Sequence, residues 1–283
     1  MLTLHTIHSG YFKLDGGAMF GVVPKTIWQN INPPDDDNLC TWAMRCLLLE
    51  TGNRRILIDT GLGNKQSPKF FSYYQPHGEK TLLSSLNDIG LNPEDITDVL
   101  LTHLHFDHAG GAVQKNEDNE LSPTFPNAVY WSNEQHWEWA IHPNEREKAS
   151  FLSENFEPLR QNNRVSWLSD GDFLCENLYI RLVYGHTEAM IIPHIILPDG
   201  QTLVYMADLI PSAGHIRLPY VMAYDVRPLQ TLEEKKDFLY RAAEEHQILF
   251  FEHDRTNDCA RIRKTEKGGI EVTETFSLGH LVY

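Results

Sequence analysis

Short apolar runs recur along the chain and alternate with segments whose apolar residues have helical spacing. The runs, bounded by polar and turn-forming residues, predict strands at 2–8, 42–51, 55–59, 98–102, 128–131, 178–183, 191–197, 202–206 and 248–251. The helical spacing predicts helices at 80–89, 133–141, 146–156 and 229–245. Residues 261–276 predict a hairpin that turns at "KGG". This order of elements is that of a mixed α/β (α+β) chain.

The helix predicted at 229–245 shows a start signal in its first turn. Thr231 and Glu234 have the spacing of a capping box, which supports a helix start in this segment. Leu232, Phe238 and Leu239 form part of an apolar stripe along it. A partial stripe of this kind is typical of a helix that lies on the surface of a sheet.

Length and charge narrow the class of protein. A chain of 283 residues with 41% hydrophobic content is long enough for one large core, and we expect a single domain over residues 1–283. The formal net charge of −15 disfavours a nucleic acid or an anionic membrane as partner, because both would repel most of the surface. A small-molecule substrate suits this charge better.

Membrane and export signals are not seen in the sequence. No apolar run has the length needed to span a bilayer, and the N-terminal residues lack a basic segment followed by an apolar one. The four cysteines are scattered without a CxxC pair, which predicts neither a disulfide framework nor a thiolate zinc site. We therefore expect a cytoplasmic protein.

The stretch "HLHFDHAGG" concentrates metal-binding groups directly after a predicted strand. His103 and His105 are two residues apart, so at a strand end their side chains project to one side. Asp107 and His108 follow where the chain turns toward Gly-Gly. Isolated histidines are usually ordinary surface or core residues, but three imidazoles and a carboxylate at this spacing have few other uses. The motif predicts a metal site.

Further donors follow other predicted strands. His186 in "GHT", Asp208 in "MAD" and His253 in "FFEHD" each come directly after a strand. Side chains at neighbouring strand ends meet at one edge of a sheet, where α/β proteins bind ligands. Asp59 has the same placement, and we interpret it as a carboxylate that orients one of the histidines. An ordinary strand-ending turn residue is the alternative for Asp59.

Taken together, HxHxDHxGG, GHT, AD and the late strand-ending histidine resemble the metallo-β-lactamase fold superfamily of metallo-hydrolases. That resemblance implies a four-layer αββα sandwich with metals at one edge. Within the superfamily, "HLHFDHAGG" and the spacing of the later donors resemble the N-acyl-homoserine lactone lactonases. The segment "DGGAMFGVVPKTIW" resembles the N-terminal loop of these lactonases and of related organophosphate hydrolases.

Seven donors exceed the needs of one tetrahedral zinc ion, so we expect two divalent metal ions. The resemblance assigns three donors to each ion and one bridge between them: His103, His105 and His186 to the first, Asp107, His108 and His253 to the second, and Asp208 shared. Zinc suits the imidazole-rich set, although manganese, iron or cobalt also occupy mixed nitrogen and oxygen sites.

The expected chemistry is hydrolysis by a metal-bridging hydroxide, because water between two divalent ions is deprotonated near neutral pH. Asp107 or Asp208 would pass a proton to the departing alkoxide, with Asp107 preferred. By resemblance the substrate is an N-acyl-homoserine lactone, which would make the enzyme a quorum-quenching lactonase. Phosphotriester or aryl ester hydrolysis at the same centre is the second enzymatic hypothesis. A non-catalytic metal-binding module is the third.

Substrate contacts are expected from two segments and the motif itself: Met19, Phe20, Phe106, His215, Tyr220 and Tyr224. The apolar N-terminal segment would cover an acyl chain, although ordinary packing or a homodimer interface would also explain it. Some lactonases carry a tyrosine three residues after the bridging aspartate, where this chain has Pro211. The residue that polarises the substrate carbonyl therefore remains open between Tyr220 and Tyr224.

Overall fold

The computed structural model describes residues 2–281. Its strands, in chain order, are β1 (Leu2–Asp15), β2 (Leu39–Thr51), β3 (Arg54–Ile58), β4 (Asp98–Leu100), β5 (Val113–Lys115), β6 (Leu121–Pro123), β7 (Val129–Ser132), β8 (Val165–Trp167), β9 (Phe173–Cys175), β10 (Leu178–Val183), β11 (Met190–Ile196), β12 (Thr202–Tyr205), β13 (Ile248–Phe250), β14 (Cys259–Lys264) and β15 (Ile270–Phe276). Its α-helices are α1 (Gly16–Phe20), α2 (Lys25–Trp28), α3 (Pro68–Tyr74), α4 (Leu82–Asp88), α5 (Phe106–Ala109), α6 (Glu134–Ile141), α7 (Glu157–Gln161) and α8 (Pro228–Glu244).

Two large sheets organise these elements. The first has the strand order β1-β2-β3-β4-β7-β8, and the second has the order β15-β14-β13-β12-β11-β10-β9. In the first sheet β3, β4, β7 and β8 pair in parallel, and in the second β12 and β13 do so. Because parallel strands point the same way, the residues that follow them collect at one edge of each sheet.

Alternation along the strands sorts the side chains into layers. On β2, Leu47 belongs to an apolar cluster shared with Leu203 of the second sheet, so this cluster lies between the sheets. Leu48 points the other way and packs in a cluster with Leu86 of α4. The same cluster continues to Phe238 of α8, which packs on the far side of the second sheet. The predicted four-layer αββα arrangement is confirmed.

The N-terminal region differs in detail from the prediction. β1 continues to Asp15 because a bulge between His8 and Tyr11 lets the strand bend and resume its pairing with β2. Gly10 lies in this bulge at φ +96°, where a side chain would be strained. Beyond β1, the segment that resembles the lactonase loop folds into the short helices α1 and α2.

The predicted helix at 146–156 is wrong. The Asn144 side-chain oxygen accepts hydrogen bonds from the backbone N–H groups of Arg146 (2.8 Å) and Glu147 (3.1 Å), which turns the chain. Only Ser153–Asn155 forms a short 3-10 helix in this region. The turn places the Glu147 carboxylate against Trp139, a contact that an uninterrupted helix would not make.

The helix predicted at 229–245 is observed as α8 at Pro228–Glu244, but its predicted capping box is wrong. The helix begins at Pro228, a residue whose fixed φ favours the first helical position, and Thr231 lies inside it. The Glu234 carboxylate, expected to cap the helix, instead accepts hydrogen bonds from the backbone N–H groups of Tyr184 (2.8 Å) and Gly185 (3.0 Å). Glu234 therefore fixes the turn that precedes His186.

Lys235 is a fully buried amine on α8, and it gives a pH-dependent prediction. Its Nζ donates to the backbone oxygens of Arg217 and Tyr220, both at 2.8 Å. Burial lowers the pKa of Lys235 to about 7, an effect that Asp225 partly opposes. Because this value lies below that of the unfolded chain, the unfolded state binds more protons between the two values, and stability rises with pH.

We expect Lys235 to contribute about 2 kcal/mol to an increase in the free energy of unfolding between pH 7 and pH 9. Lys235→Met should remove this contribution, since methionine does not titrate. Urea unfolding of both proteins at the two pH values measures the difference, and the exposed Lys236→Met serves as the matched control. An identical pH slope in wild type and Lys235→Met would contradict the expectation.

None of the helices within residues 2–281 combines the length and the apolar content needed to cross a lipid bilayer.

Candidate metal centre

The seven predicted donors lie together at one edge of the sandwich. His103 and His105 follow β4, and Asp107 and His108 lie on α5. The other three follow β10, β12 and β13 in the second sheet: His186, Asp208 and His253. All seven side chains are buried. The structure therefore brings all seven to one volume between the two sheets' edges.

Asp208 occupies the middle of this group. Its Oδ2 lies 3.1 Å from His186 Nε2, and its Oδ1 lies 3.3 Å from His253 Nε2. The same carboxylate is 3.6 Å from His108 Nε2 and 3.8 Å from His103 Nε2. Asp208 thus touches both sets of histidines, which is the geometry expected of a shared ligand.

Ligand atoms fall into two sets by proximity. His103, His105, His186 and Asp208 form one set, and Asp107, His108 and His253 form the other, with the ligand atoms of each set within 4.8 Å of one another. A third set joins His108 to Asp59 and Glu252 on the outer side of its ring. The first two sets separate the six unshared donors as the resemblance does, and they place Asp208 with His103, His105 and His186.

Ring nitrogen atoms of five histidines point into this volume. His105 Nδ1 lies 3.2 Å from His186 Nε2, and His108 Nε2 lies 3.2 Å from His253 Nε2. His103 Nε2 is buried without a hydrogen-bond partner within residues 2–281. Imidazole lone pairs that face one another in a buried site are stabilised by a cation, and imidazole and carboxylate are zinc ligands. The residues present therefore fit divalent metal ions.

The outer ring nitrogens of three histidines are anchored by the fold. His186 Nδ1 donates to Asp225 Oδ1 at 2.8 Å, and His253 Nδ1 donates to the backbone oxygen of Ala43 at 2.7 Å. His103 Nδ1 lies 3.1 Å from the Thr102 hydroxyl. A proton held on Nδ1 leaves Nε2 free as a lone pair that points inward.

His108 faces two carboxylates on its outer side. Its Nδ1 lies 3.1 Å from Asp59 Oδ2 and 2.9 Å from Glu252 Oε2. Asp59 also accepts hydrogen bonds from the Thr102 N–H (2.8 Å) and hydroxyl (2.7 Å). The structure places Asp59 where the sequence analysis put it, and it adds Glu252. Burial raises the pKa of Glu252 to about 8.

Glu147 lies beside the outer nitrogen of His105, and the sequence analysis missed it. Its Oε1 is 3.6 Å from His105 Nε2 and accepts a hydrogen bond from the Thr187 hydroxyl at 2.6 Å. Its Oε2 accepts from Trp139 Nε1 at 2.8 Å and Asn144 Nδ2 at 2.6 Å. Although burial opposes it, the His105 imidazole and the hydrogen bond from Thr187 lower the pKa of Glu147 to about 2. Glu147 is therefore a rigid anion.

Charge at the centre is set by Asp208. Burial alone would raise its pKa, but His186, His253 and His108 hold the pKa of Asp208 well below its ordinary value. In the protein chain alone, Asp208 and Asp225 outweigh burial and raise the pKa of His186 to about 10. The centre thus combines an ionised carboxylate with imidazoles that would exchange a proton for a metal ion.

A cavity of about 230 Å³ opens above the donors. Its floor includes His105, Asp107, His186, Asp208 and His253. Apolar and aromatic side chains form most of its walls: Leu14, Met19, Tyr74, Phe106, Met222 and Tyr224. An apolar cavity with a few convergent polar groups is the usual form of a small-molecule site.

The six predicted substrate residues divide into two groups. Met19, Phe106 and Tyr224 line the cavity. Phe20, His215 and Tyr220 are not among its lining residues, and they pack behind the wall instead. Phe20 stacks on His215 at 4.6 Å between ring centroids.

Hydrogen bonds show how this second group supports the wall. His215 Nε2 lies 3.0 Å from the Met19 backbone oxygen, and its Nδ1 lies 2.7 Å from the Ser212 hydroxyl. His215 therefore holds α1 against the segment that follows Asp208. Tyr74 lines the cavity but was missed, because the aromatic run "FFSYY" carries no signal that separates a cavity wall from a core.

The sequence model of the Metallo-beta-lactamase superfamily matches residues 45–253, which is more than half of the chain. The chain belongs to this superfamily. An N-acyl homoserine lactonase of Bacillus cereus is 31% identical over 116 residues, which are 38% of this chain and 44% of that protein. The match thus spans less than half the length of the Bacillus cereus protein.

Solved structures show the same superfamily fold over nearly the whole chain. A probable metal-dependent hydrolase from Staphylococcus aureus is 27% identical with a TM-score of 0.88, and the match covers 99% of this chain and 98% of that one. AidC, a dizinc quorum-quenching lactonase in complex with a product, is 24% identical with a TM-score of 0.78 and coverage of 97% and 95%. The likeness to AidC shows the fold alone.

Proposed function

We propose that the protein is a hydrolase that uses two divalent metal ions, zinc foremost, to open lactones or cleave esters. N-acyl-homoserine lactones are the preferred substrates in this proposal. The observation that supports it is the position of the buried donors, five of which form the floor of an open cavity with mostly apolar walls. A metal site built only to hold a fold has no need of such a cavity.

In this proposal His103, His105 and His186 would hold one ion, and Asp107, His108 and His253 would hold the other. Asp208 would be shared, because its carboxylate lies close to both His186 and His253. When bound, such ions supply Lewis acidity that lowers the pKa of water and polarises a carbonyl oxygen. Asp107 and Asp208 both reach the cavity, so either carboxylate can carry a proton toward the leaving oxygen. Asp107 is preferred, because Asp208 contacts donors of both sets.

Two tyrosine hydroxyls are available for the substrate carbonyl. Tyr224 and Tyr74 line the cavity from opposite segments, and burial raises the pKa of both phenols. They remain protonated at neutral pH and can donate hydrogen bonds to a substrate oxygen. Pro211 at the position where some lactonases have tyrosine is therefore compatible with the reaction.

Hydrolysis of aryl esters or phosphotriesters is the second candidate, and the aromatic wall favours it. Tyr74 and Phe106 lie 4.4 Å apart between ring centroids, and Phe70 packs edge-on against Phe106 at 5.2 Å. Aromatic walls of this kind stack well against an aromatic leaving group.

Metal analysis joined to a substrate screen tests the proposal. The purified protein should contain two divalent ions per chain and hydrolyse short- and long-chain acyl-homoserine lactones with a higher kcat/KM than an aryl phosphotriester. The reverse ranking would establish the second candidate. An intact metal complement without turnover of any of these compounds would refute both.

Glu147→Gln tests how the outer contact of His105 affects the metal centre. Glutamine keeps the shape but removes the negative charge beside His105 Nε2, so we expect metal affinity to fall about 10- to 100-fold. Competition with a chromogenic chelator measures this affinity, and excess metal should restore part of the activity. Glu145→Gln, at a carboxylate whose side chain is 93% exposed, is the matched control. Equal metal affinity in the Glu147 variant and wild type would contradict the role.

A further inference from the structure

Arg146 is unusual among the residues that line the cavity. Within residues 2–281 it is the one arginine or lysine on that wall, in a chain with a net charge of −15. It precedes Glu147, whose carboxylate reaches His105, so it lies on the His105 side of the centre. Arg146 is exposed, whereas the metal donors are buried, and it therefore stands at the rim of the cavity.

The Arg146 guanidinium is held by neutral groups. Its Nη2 donates to the backbone oxygens of Ala223 and Asp225, the second at 3.2 Å, on the opposite segment of the wall. The N–H groups on Nε and Nη1 have no acceptor within the described part of the chain, and no carboxylate there lies within 4 Å. Backbone oxygens fix the orientation of the guanidinium without neutralising its charge.

An oriented guanidinium with free N–H groups recognises a carboxylate. The reacting carbonyl must lie on the buried floor, so a substrate group that contacts Arg146 at the rim lies away from that carbonyl. We propose that Arg146 selects esters or lactones that carry a carboxylate at the far end of the acyl chain. This inference rests on the hydrolase function proposed above and names its substrate class.

A matched pair of esters measures this selection directly. p-Nitrophenyl hexanoate and the mono-p-nitrophenyl ester of adipic acid have the same chain length and leaving group, and they differ in a terminal carboxylate. We expect wild type to favour the adipate ester about fivefold in kcat/KM. The factor is small because the ion pair between Arg146 and the substrate carboxylate is partly exposed to solvent. Added salt should reduce this preference, since it screens an exposed ion pair.

Two substitutions separate charge recognition from a structural role. Arg146→Met should bring the ratio of the two kcat/KM values to about 1, and Arg146→Lys should retain part of the preference. Lys148→Met, at a nearby lysine whose side chain is 68% exposed and does not line the cavity, should keep the wild-type ratio. If Arg146→Met slows both esters equally and leaves the ratio unchanged, Arg146 only holds the wall together, and the proposal is overturned.

Ligand binding keeps this test independent of the proposed reaction. If wild type hydrolyses neither ester, the hydrolase proposal fails for such substrates, and the uncleavable amides N-methylhexanamide and N-methyladipamate are compared by calorimetry. Tighter binding of the adipamate to wild type, lost in Arg146→Met, would support the carboxylate site. Equal affinities of wild type for the two amides would overturn it.

Discussion

Asp208→Asn is expected to lower kcat/KM for hydrolysis by more than about 100-fold and to remove at least one bound metal ion per chain. This effect is larger than that expected for a residue, such as Glu147, that contacts a histidine from outside the centre. The Asp208 carboxylate lies within 3.3 Å of both His186 Nε2 and His253 Nε2, on opposite sides of the centre. Asparagine has nearly the same shape, but its amide lacks the charge that offsets two divalent cations. One substitution therefore weakens both halves of the site.

Metal content by atomic emission and kcat/KM on the best lactone or ester measure this effect. Asp199→Asn, at an exposed turn residue, is the matched control and should keep both metals and full activity. Circular dichroism should show an unchanged fold in both variants. An Asp208→Asn protein that retains two ions and wild-type turnover would refute the assignment of Asp208 as the shared ligand.

Chelation is expected to abolish turnover while most of the fold persists. The inter-sheet cluster around Leu203 and the cluster that joins α4 to the first sheet are apolar and contain no metal donor. Burial of these apolar side chains stabilises both sheets even when the metal ions are removed. Metal binding adds stability by mass action, so the melting temperature should fall without loss of the native circular dichroism spectrum at 25 °C.

Activity should return when zinc is added back to the chelated protein. This result distinguishes the catalytic proposal from a module whose metal only holds the fold, because a closed structural site unfolds when its ion is removed. Loss of the native spectrum together with the metal would favour the non-catalytic hypothesis. A protein that keeps its activity after complete removal of metal would exclude both.

Much of the fold could be predicted from local pattern. The strands at 55–59, 178–183 and 202–206 were found nearly at their observed bounds, because each is a short apolar run between polar residues. The bounds of α8 were predicted within one residue, but its capping box was wrong. Glu234 has the right spacing for a cap, but its carboxylate is used by Tyr184 and Gly185, which are distant in sequence. Local propensity cannot report such a competing partner.

The carboxylates that contact the outer ring nitrogens of the histidines could not be predicted from local sequence either. Asp225 and Glu147 are ordinary acidic residues in the sequence, and Glu147 lies in a segment predicted as helix. Their roles depend on chain folding that brings them to His186 and His105. Glu252 precedes His253 directly, yet the sequence does not tell whether its side chain is buried or exposed.

The sequence by itself determined that the chain is mixed α/β and that its seven candidate donors follow strands. Both are local properties, since the period of apolar residues sets the elements and the HxHxDH spacing sets four donors. Only the tertiary structure decided which ring nitrogen each histidine presents, which aromatic side chains line the cavity, and that Arg146 stands at its rim with no counter-charge among residues 2–281. These features depend on contacts between residues far apart in the chain, which local sequence patterns do not specify.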